Sequence, residues 1–199
     1  MVISRLNKNY FIRDTHLVCQ DLIGKFLIHE DETRLKVGRI VEVEAYQGFN
    51  DRASHAARKQ TPRNLIMFGP GGYYYIYLIY GMHYCLNIVT EKEGFPSAVL
   101  IRAVEPIYDS STNLTDLGLK EKRILGSGPG RLCRWLEVDK IFNTKSVENP
   151  SLFMANDYKD QAHQPKIEKS KRVGVQYAGE SAHLDWRYLD ATSDYISHP

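Results

Sequence analysis

The sequence predicts an α+β fold: a single compact domain with a curved antiparallel sheet flanked by helices and long loops. Three observations carry this expectation. The chain has 199 residues, enough for one domain that buries a core without staples. Apolar, β-forming segments recur between Gly-, Pro- and Asp-containing turns, and few stretches are patterned as helices. No repeat and no low-complexity segment interrupts them.

Asp14 is placed to cap a helix with Leu17, Val18, Leu22 and Ile23 on one face, stopping near Gly24. Phe26 to His29 reads as a strand, followed by a polar turn at Asp31 to Thr33. Leu35 to Tyr46 reads as a longer strand, in which Leu35, Val37, Val41 and Val43 alternate against Glu42 and Glu44. Residues 49 to 68 are irregular and polar. Gly69-Pro70-Gly71-Gly72 is a turn, and with no GK[ST] after it, it is not a phosphate cradle. Tyr73 to Ile79 and Tyr84 to Val89 form a hairpin through Tyr80-Gly81-Met82, and Ala98 to Val104 supplies a third strand. A short helix begins after Gly126-Ser127-Gly128-Pro129. Residues 144 to 171 read as a polar loop, and Arg172 to Ala178 as a return to the sheet.

Hydrophobic residues make up 43% and charged residues 25%, an ordinary globular balance. No apolar run reaches the roughly eighteen residues that span a bilayer. The start, MVISRLNKNYF, has no continuous apolar region of the secretory kind. Cys19, Cys85 and Cys133 are odd in number and form no CxxC pair, as expected of buried thiols in a reducing compartment. A cytoplasmic protein with no membrane partner is expected. Net charge is only +2, yet cations cluster at Arg58, Lys59 and Arg63, at Lys120, Lys122 and Arg123, at Arg131 and Arg134, and from Lys166 to Arg172. Such clusters can form a one-sided phosphate-binding face or be ordinary solvated surface.

No HExxH, GxSxG or Cys/His metal cluster occurs. Two features are left. Glu44-Ala45-Tyr46, followed by His55, either puts Glu44 on the solvent face of a half-buried strand or sets it at a pocket, where it can deprotonate a water. Six of the thirteen tyrosines fall between positions 73 and 84. They make either a packed aromatic core or, behind a Tyr80-Gly81-Met82 tip, a wedge for stacked bases and a sandwich for an extruded one. Base–aromatic stacking of roughly 1–3 kcal/mol is comparable with the few kcal/mol of unstacking.

The segment RIVEVEAYQGFNDRASHAARKQTPRNLIMF, with YYYIYLIYGMHYCLNIV and VLIRAVEP after it, resembles the alkyladenine (3-methyladenine) DNA glycosylase family. GSGPGRLC at 126 to 133 and RVGVQYAGE at 172 to 180 resemble it too, so the likeness runs over most of the chain. The resemblance implies a monomeric enzyme without metal or cofactor, acting on double-stranded DNA that contains damaged purines and leaving an abasic site. It implies that Glu44, not Glu42, is the catalytic base, with Arg102 near the attacking water. Tyr46, His55 and Tyr77 match residues that hold the flipped base, and Asn87 matches an amide that excludes guanine's extra amino group. The Val173 backbone matches a group that holds the water. Tyr80, with Met82 beside it at the hairpin tip, matches the side chain that fills the gap in the duplex. No lysine is among these matched positions, so strand cleavage through a Schiff base is not expected. A non-catalytic nucleic-acid-binding module and a small-molecule nucleosidase are the rival readings.

Overall fold

The computed structural model describes residues 3–57, 59–159 and 163–197. The Asp14 carboxylate accepts from the backbone N–H groups of His16 and Leu17 at 2.9 and 3.0 Å and so starts helix α1 (Thr15–Leu22). Val18, Cys19 and Leu22 face the core. Leu17, expected on that face, is instead 52% exposed.

Strands β1 (Phe26–Glu30) and β2 (Leu35–Gln47) pair antiparallel. Beyond them, β3 (Tyr74–Ile79), β4 (His83–Val89) and β5 (Ser97–Asp109) follow as the sequence pattern predicts. Helices α2 (Leu119–Gly126) and α3 (Pro129–Trp135) then pack near β5 and β4. Three short strands come last: β6 (Leu152–Ala155), β7 (Ile167–Ser170) and β8 (Arg187–Asp190). Among the described residues the sheet runs β3-β4-β5-β2-β1-β6, with β8 joining β2 and β7 joining β8. Each of these pairings is antiparallel.

β2 organises the molecule. β5 flanks one side of it almost end to end. On its other side, β1 pairs with residues 35 to 39 and β8 takes over at Glu42 to Glu44. Register shifts at Val37/Gly38 and on both sides of Glu42 bend the strand where its partner changes. β2 is therefore paired along both of its edges, and its residues from Lys36 to Ala45 are buried. The main core lies between the sheet and α1 and α3, with Leu22, Ile40, Val43, Tyr74, Leu132 and Trp135 among its members. All three cysteines are free and buried, as expected.

The structure corrects four local expectations. Residues 144 to 171 are not one loop, since they hold β6 and β7. Arg172 to Ala178 does not return to the sheet. Gly174 takes φ 77° and the chain enters a 3-10 turn over Gln176–His183, so the last strand comes later, at β8. Residues 119 to 126, noticed only for their cations, form α2. Glu42 and Glu44 are fully buried, so the alternation along β2 does not separate a wet face from a dry one.

Candidate active site

The hairpin between β3 and β4 closes with a Met82 N–H to Ile79 C=O bond of 3.2 Å. Tyr80 and Gly81 both take positive φ, 53° and 70°, the signature of a two-residue type I′ turn whose twist suits a β-ribbon. Glycine adopts that conformation freely, whereas tyrosine does so at a cost of order 1 kcal/mol. Tyr80 is 87% exposed and Met82 69%.

Behind the tip lies a cavity of about 210 Å³. Tyr46, His55, Tyr77, Asn87, Arg102 and Val173 line it, and Tyr80 stands at its rim. These residues come from β2, β3, β4, β5 and two loops, and the fold brings all of them to one place. Met82 does not line this cavity but faces a groove on the other side of the hairpin.

Glu44 sits behind the cavity wall, fully buried. Its Oε1 accepts the Val173 N–H at 2.7 Å, and its Oε2 accepts the Tyr46 hydroxyl at 2.8 Å. Arg102 Nη1 is 3.4 Å from Oε1. Burial raises the Glu44 pKa, and the neighbouring Glu42 adds to the rise. Arg102, the Val173 N–H and the Tyr46 hydroxyl oppose it without cancelling it. Burial likewise pushes the Tyr46 phenol well up, helped by the adjacent Glu44 carboxylate.

Glu42, two residues earlier, is engaged differently. Its Oε1 accepts from Arg102 Nε at 3.0 Å, Arg187 Nη1 at 3.2 Å and the Ser197 hydroxyl at 3.0 Å, and its Oε2 accepts the Ser197 N–H at 2.6 Å. Its partners lie within the protein, and it does not line the cavity.

The aromatic wall is held by its own bonds. His55 Nδ1 is 2.8 Å from the Tyr75 hydroxyl, and the His55 and Tyr77 rings meet edge to face at 4.6 Å between centroids. Asn64 Nδ2 donates to the His55 carbonyl at 2.8 Å, anchoring the loop that carries the histidine. Burial lowers the His55 pKa, and Arg63 lowers it further. The Asn87 amide donates to the Tyr75 carbonyl across the hairpin at 3.0 Å, which fixes its orientation at the cavity.

Sequence reasoning missed what holds these parts together. Arg172, read as one of a basic cluster, is completely buried. It donates to Asp51 at 2.6 and 2.7 Å, to the Ala45 carbonyl at 2.8 Å and to the Ser181 carbonyl at 3.0 Å. Its guanidinium also lies over the Tyr46 ring at 4.8 Å. One side chain thus ties β2, the loop before His55 and the segment after Val173. Tyr177, 69% exposed, also lines the cavity mouth. Its only sequence signal was its place in the RVGVQYAGE segment.

Of the other cations, Lys166 is paired with Glu168 at 2.8 Å. Lys59, Arg63, Lys120, Arg131 and Arg134 are exposed, Lys122 and Arg123 half-buried, and Arg58 lies outside the described residues. Among the described residues no group of three His, Cys, Asp or Glu side chains could hold a metal ion, and no helix is long and apolar enough to cross a membrane.

A buried carboxylate with a raised pKa, behind an aromatic cavity, suits general-base attack by water on a bond presented by a flat, polarisable ring. Comparison with known proteins gives this chemistry a family. Residues 9–194 match the family model for methylpurine-DNA glycosylase. A Desulfitobacterium hafniense protein, named as a candidate 3-methyladenine DNA glycosylase, is 40% identical over 203 residues, covering 98% of each chain. Proteins of the same name from Legionella pneumophila (strain Lens) and Methanocella arvoryzae are each 42% identical. The first match covers 97% of this chain and 98% of its relative, the second 96% and 95%. The chain belongs to the methylpurine-DNA glycosylase family and is a DNA glycosylase.

Proposed function

We propose that this glycosylase extrudes an alkylated or deaminated purine nucleotide from duplex DNA into the 210 Å³ cavity and hydrolyses its N-glycosidic bond there, leaving an abasic site. The observation that carries the reading is the Glu44 carboxylate, fully buried yet in contact with three residues of the cavity wall. As the base departs, positive charge develops on the sugar. An ionised Glu44 stabilises that charge and takes the proton of the attacking water, with Arg102 and Val173 holding the carboxylate in place.

Tyr46, His55 and Tyr77 stack on or hydrogen-bond the base, and Asn87 opposes guanine's exocyclic amino group. Tyr80 fills the space vacated in the duplex, with Met82 beside it. Selectivity then has three sources. Damaged pairs open more cheaply, electron-poor purines stack well on tyrosine, and a cationic base is a better leaving group. The described side chains lining the cavity include no primary amine, in keeping with hydrolysis without strand cleavage.

The test is incubation with duplexes carrying one 7-methylguanine, hypoxanthine or ethenoadenine, scoring free base and abasic sites. Release from at least one duplex, lost in Glu44→Gln, is expected. Binding without release would indicate a recognition module, and release from free nucleosides alone a nucleosidase.

A further inference from the structure

A second cavity, of about 700 Å³ against about 210 Å³, lies apart from the one behind the hairpin tip. It is a groove on the opposite side of the wall made by the β3–β4 hairpin and α3. Ile79, Tyr80 and Pro129 face the catalytic cavity, whereas Met82, His83 and Arg134 face the groove. The wall is thin because α3 lies directly on β4. A Cβ at Gly130 would come within 2.9 Å of the His83 Cβ.

The groove's charges are unequally matched. Arg34 is paired with Asp31 at 2.6 Å and with Glu137, which also accepts Lys36 Nζ at 2.8 Å. Asp139 caps a turn through the Ile141 N–H at 2.8 Å. Arg134 and Lys145 are exposed, and among the described residues neither has a carboxylate partner. The lining balances three cations against three carboxylates, yet Arg134 and Lys145 stand without a carboxylate partner and are free to meet an outside anion. Met82, largely exposed, forms an apolar lip where the groove meets the hairpin tip.

We propose that this groove seats the undamaged strand of the duplex, with Arg134 and Lys145 on its phosphates. The inference rests on the reading of Tyr80 as the residue that enters the duplex. A wedge between two strands has one on each side. The strand whose nucleotide is extruded lies toward the catalytic cavity, so its complement lies toward Met82. The minor groove is only about 6 Å wide, which keeps the second backbone close to the far side of the hairpin. The enzyme thereby holds both strands apart around one thin wall, an arrangement that favours a duplex over a single strand.

The test uses DNA bearing a tetrahydrofuran abasic analogue, which has no glycosidic bond to cleave, as a duplex and as the same strand alone. Affinity is measured from about 50 to 200 mM salt. Each phosphate contact contributes about 0.9 to the slope of log K against log salt on a duplex. The double variant Arg134→Ala/Lys145→Ala should therefore show a duplex slope shallower by about two, with single-strand binding unchanged. Arg134→Lys/Lys145→Arg should keep the wild-type slope. An unchanged duplex slope, or an equal change on both DNA forms, overturns the proposal. Because the probe is not cleaved, failure to release any damaged base would sink the catalytic reading while leaving this comparison decisive.

Discussion

Glu42 and Glu44, two residues apart on one strand, share a single guanidinium: Arg102 places Nε 3.0 Å from Glu42 and Nη1 3.4 Å from Glu44. Only Glu44 also accepts from residues that line the aromatic cavity on both of its oxygens. Two chemically identical side chains therefore take different work from the same cation.

Substituting each in turn separates those roles. Glu44→Gln keeps the shape and removes the base, so excision should fall at least roughly a hundredfold, with DNA affinity little changed. Glu42→Gln leaves Arg102 and Arg187 facing a neutral amide in a buried site, and stability should drop by about 3–5 kcal/mol. Single-turnover excision and thermal melting on both variants decide the matter. A stable Glu42→Gln without activity, beside an active Glu44→Gln, would reverse the assignment.

The pH dependence follows from the sign of the Glu44 shift. As the proposed base, Glu44 has to be ionised, and burial raises its pKa above the ordinary glutamate value of about 4.3. Activity should therefore be lost on acidification at a pH above that value. Tyr46→Phe removes a hydroxyl that favours the anion, so the acid limb should move to still higher pH. His55, held below its ordinary pKa by burial and by Arg63, should add no inflection above about pH 6.5. A limb that moves down in Tyr46→Phe contradicts this account.

Asn87 should govern discrimination. Its amide is pinned to the Tyr75 carbonyl at the cavity wall. Replacement with serine or alanine opens space for guanine's amino group and should raise release of normal guanine relative to hypoxanthine. If that ratio stays the same in both variants, Asn87 plays no part in selectivity.

Tyr80 should matter for extrusion and not for bond cleavage. Tyr80→Ala should weaken the flipping equilibrium by up to a few kcal/mol, the scale of unstacking one base, and by less where the lesion lies in a mismatch. Stopped-flow fluorescence of ethenoadenine reports extrusion apart from cleavage. Tyr80→Ala should show weak extrusion with residual chemistry, and Glu44→Gln the reverse. Wild-type extrusion by Tyr80→Ala would reduce Tyr80 to an exposed turn residue.

Sequence periodicity could find the elements whose side chains alternate or stack. The helix capped by Asp14, the tyrosine hairpin and the long β2 and β5 strands were all legible for that reason. It failed where burial comes from charge satisfaction. β2 carries Lys36, Arg39, Glu42 and Glu44 and is nonetheless buried, because Glu137, Glu105, Arg102 and Arg187 meet those charges from distant parts of the chain. Arg172 and Asp51 look like surface residues in one dimension and are fully buried partners in three. β6 is four residues long and β7 is largely exposed, so neither rises above its polar surroundings. The residues of the cavity wall were legible through the family resemblance, whereas the Arg172 tie beneath them carried no local signal.

The Val173 N–H that meets Glu44 lies 129 residues further along the chain, and the Ser197 N–H that meets Glu42 lies 155 further. Contacts so remote in sequence form late, after the loops between them have closed. A chain released before residue 172 can pair β1 through β5, yet its carboxylates have none of these donors. If Glu44 is the base, competence for bond cleavage should be among the last properties acquired on folding. In refolding from denaturant, sheet structure should return before base release.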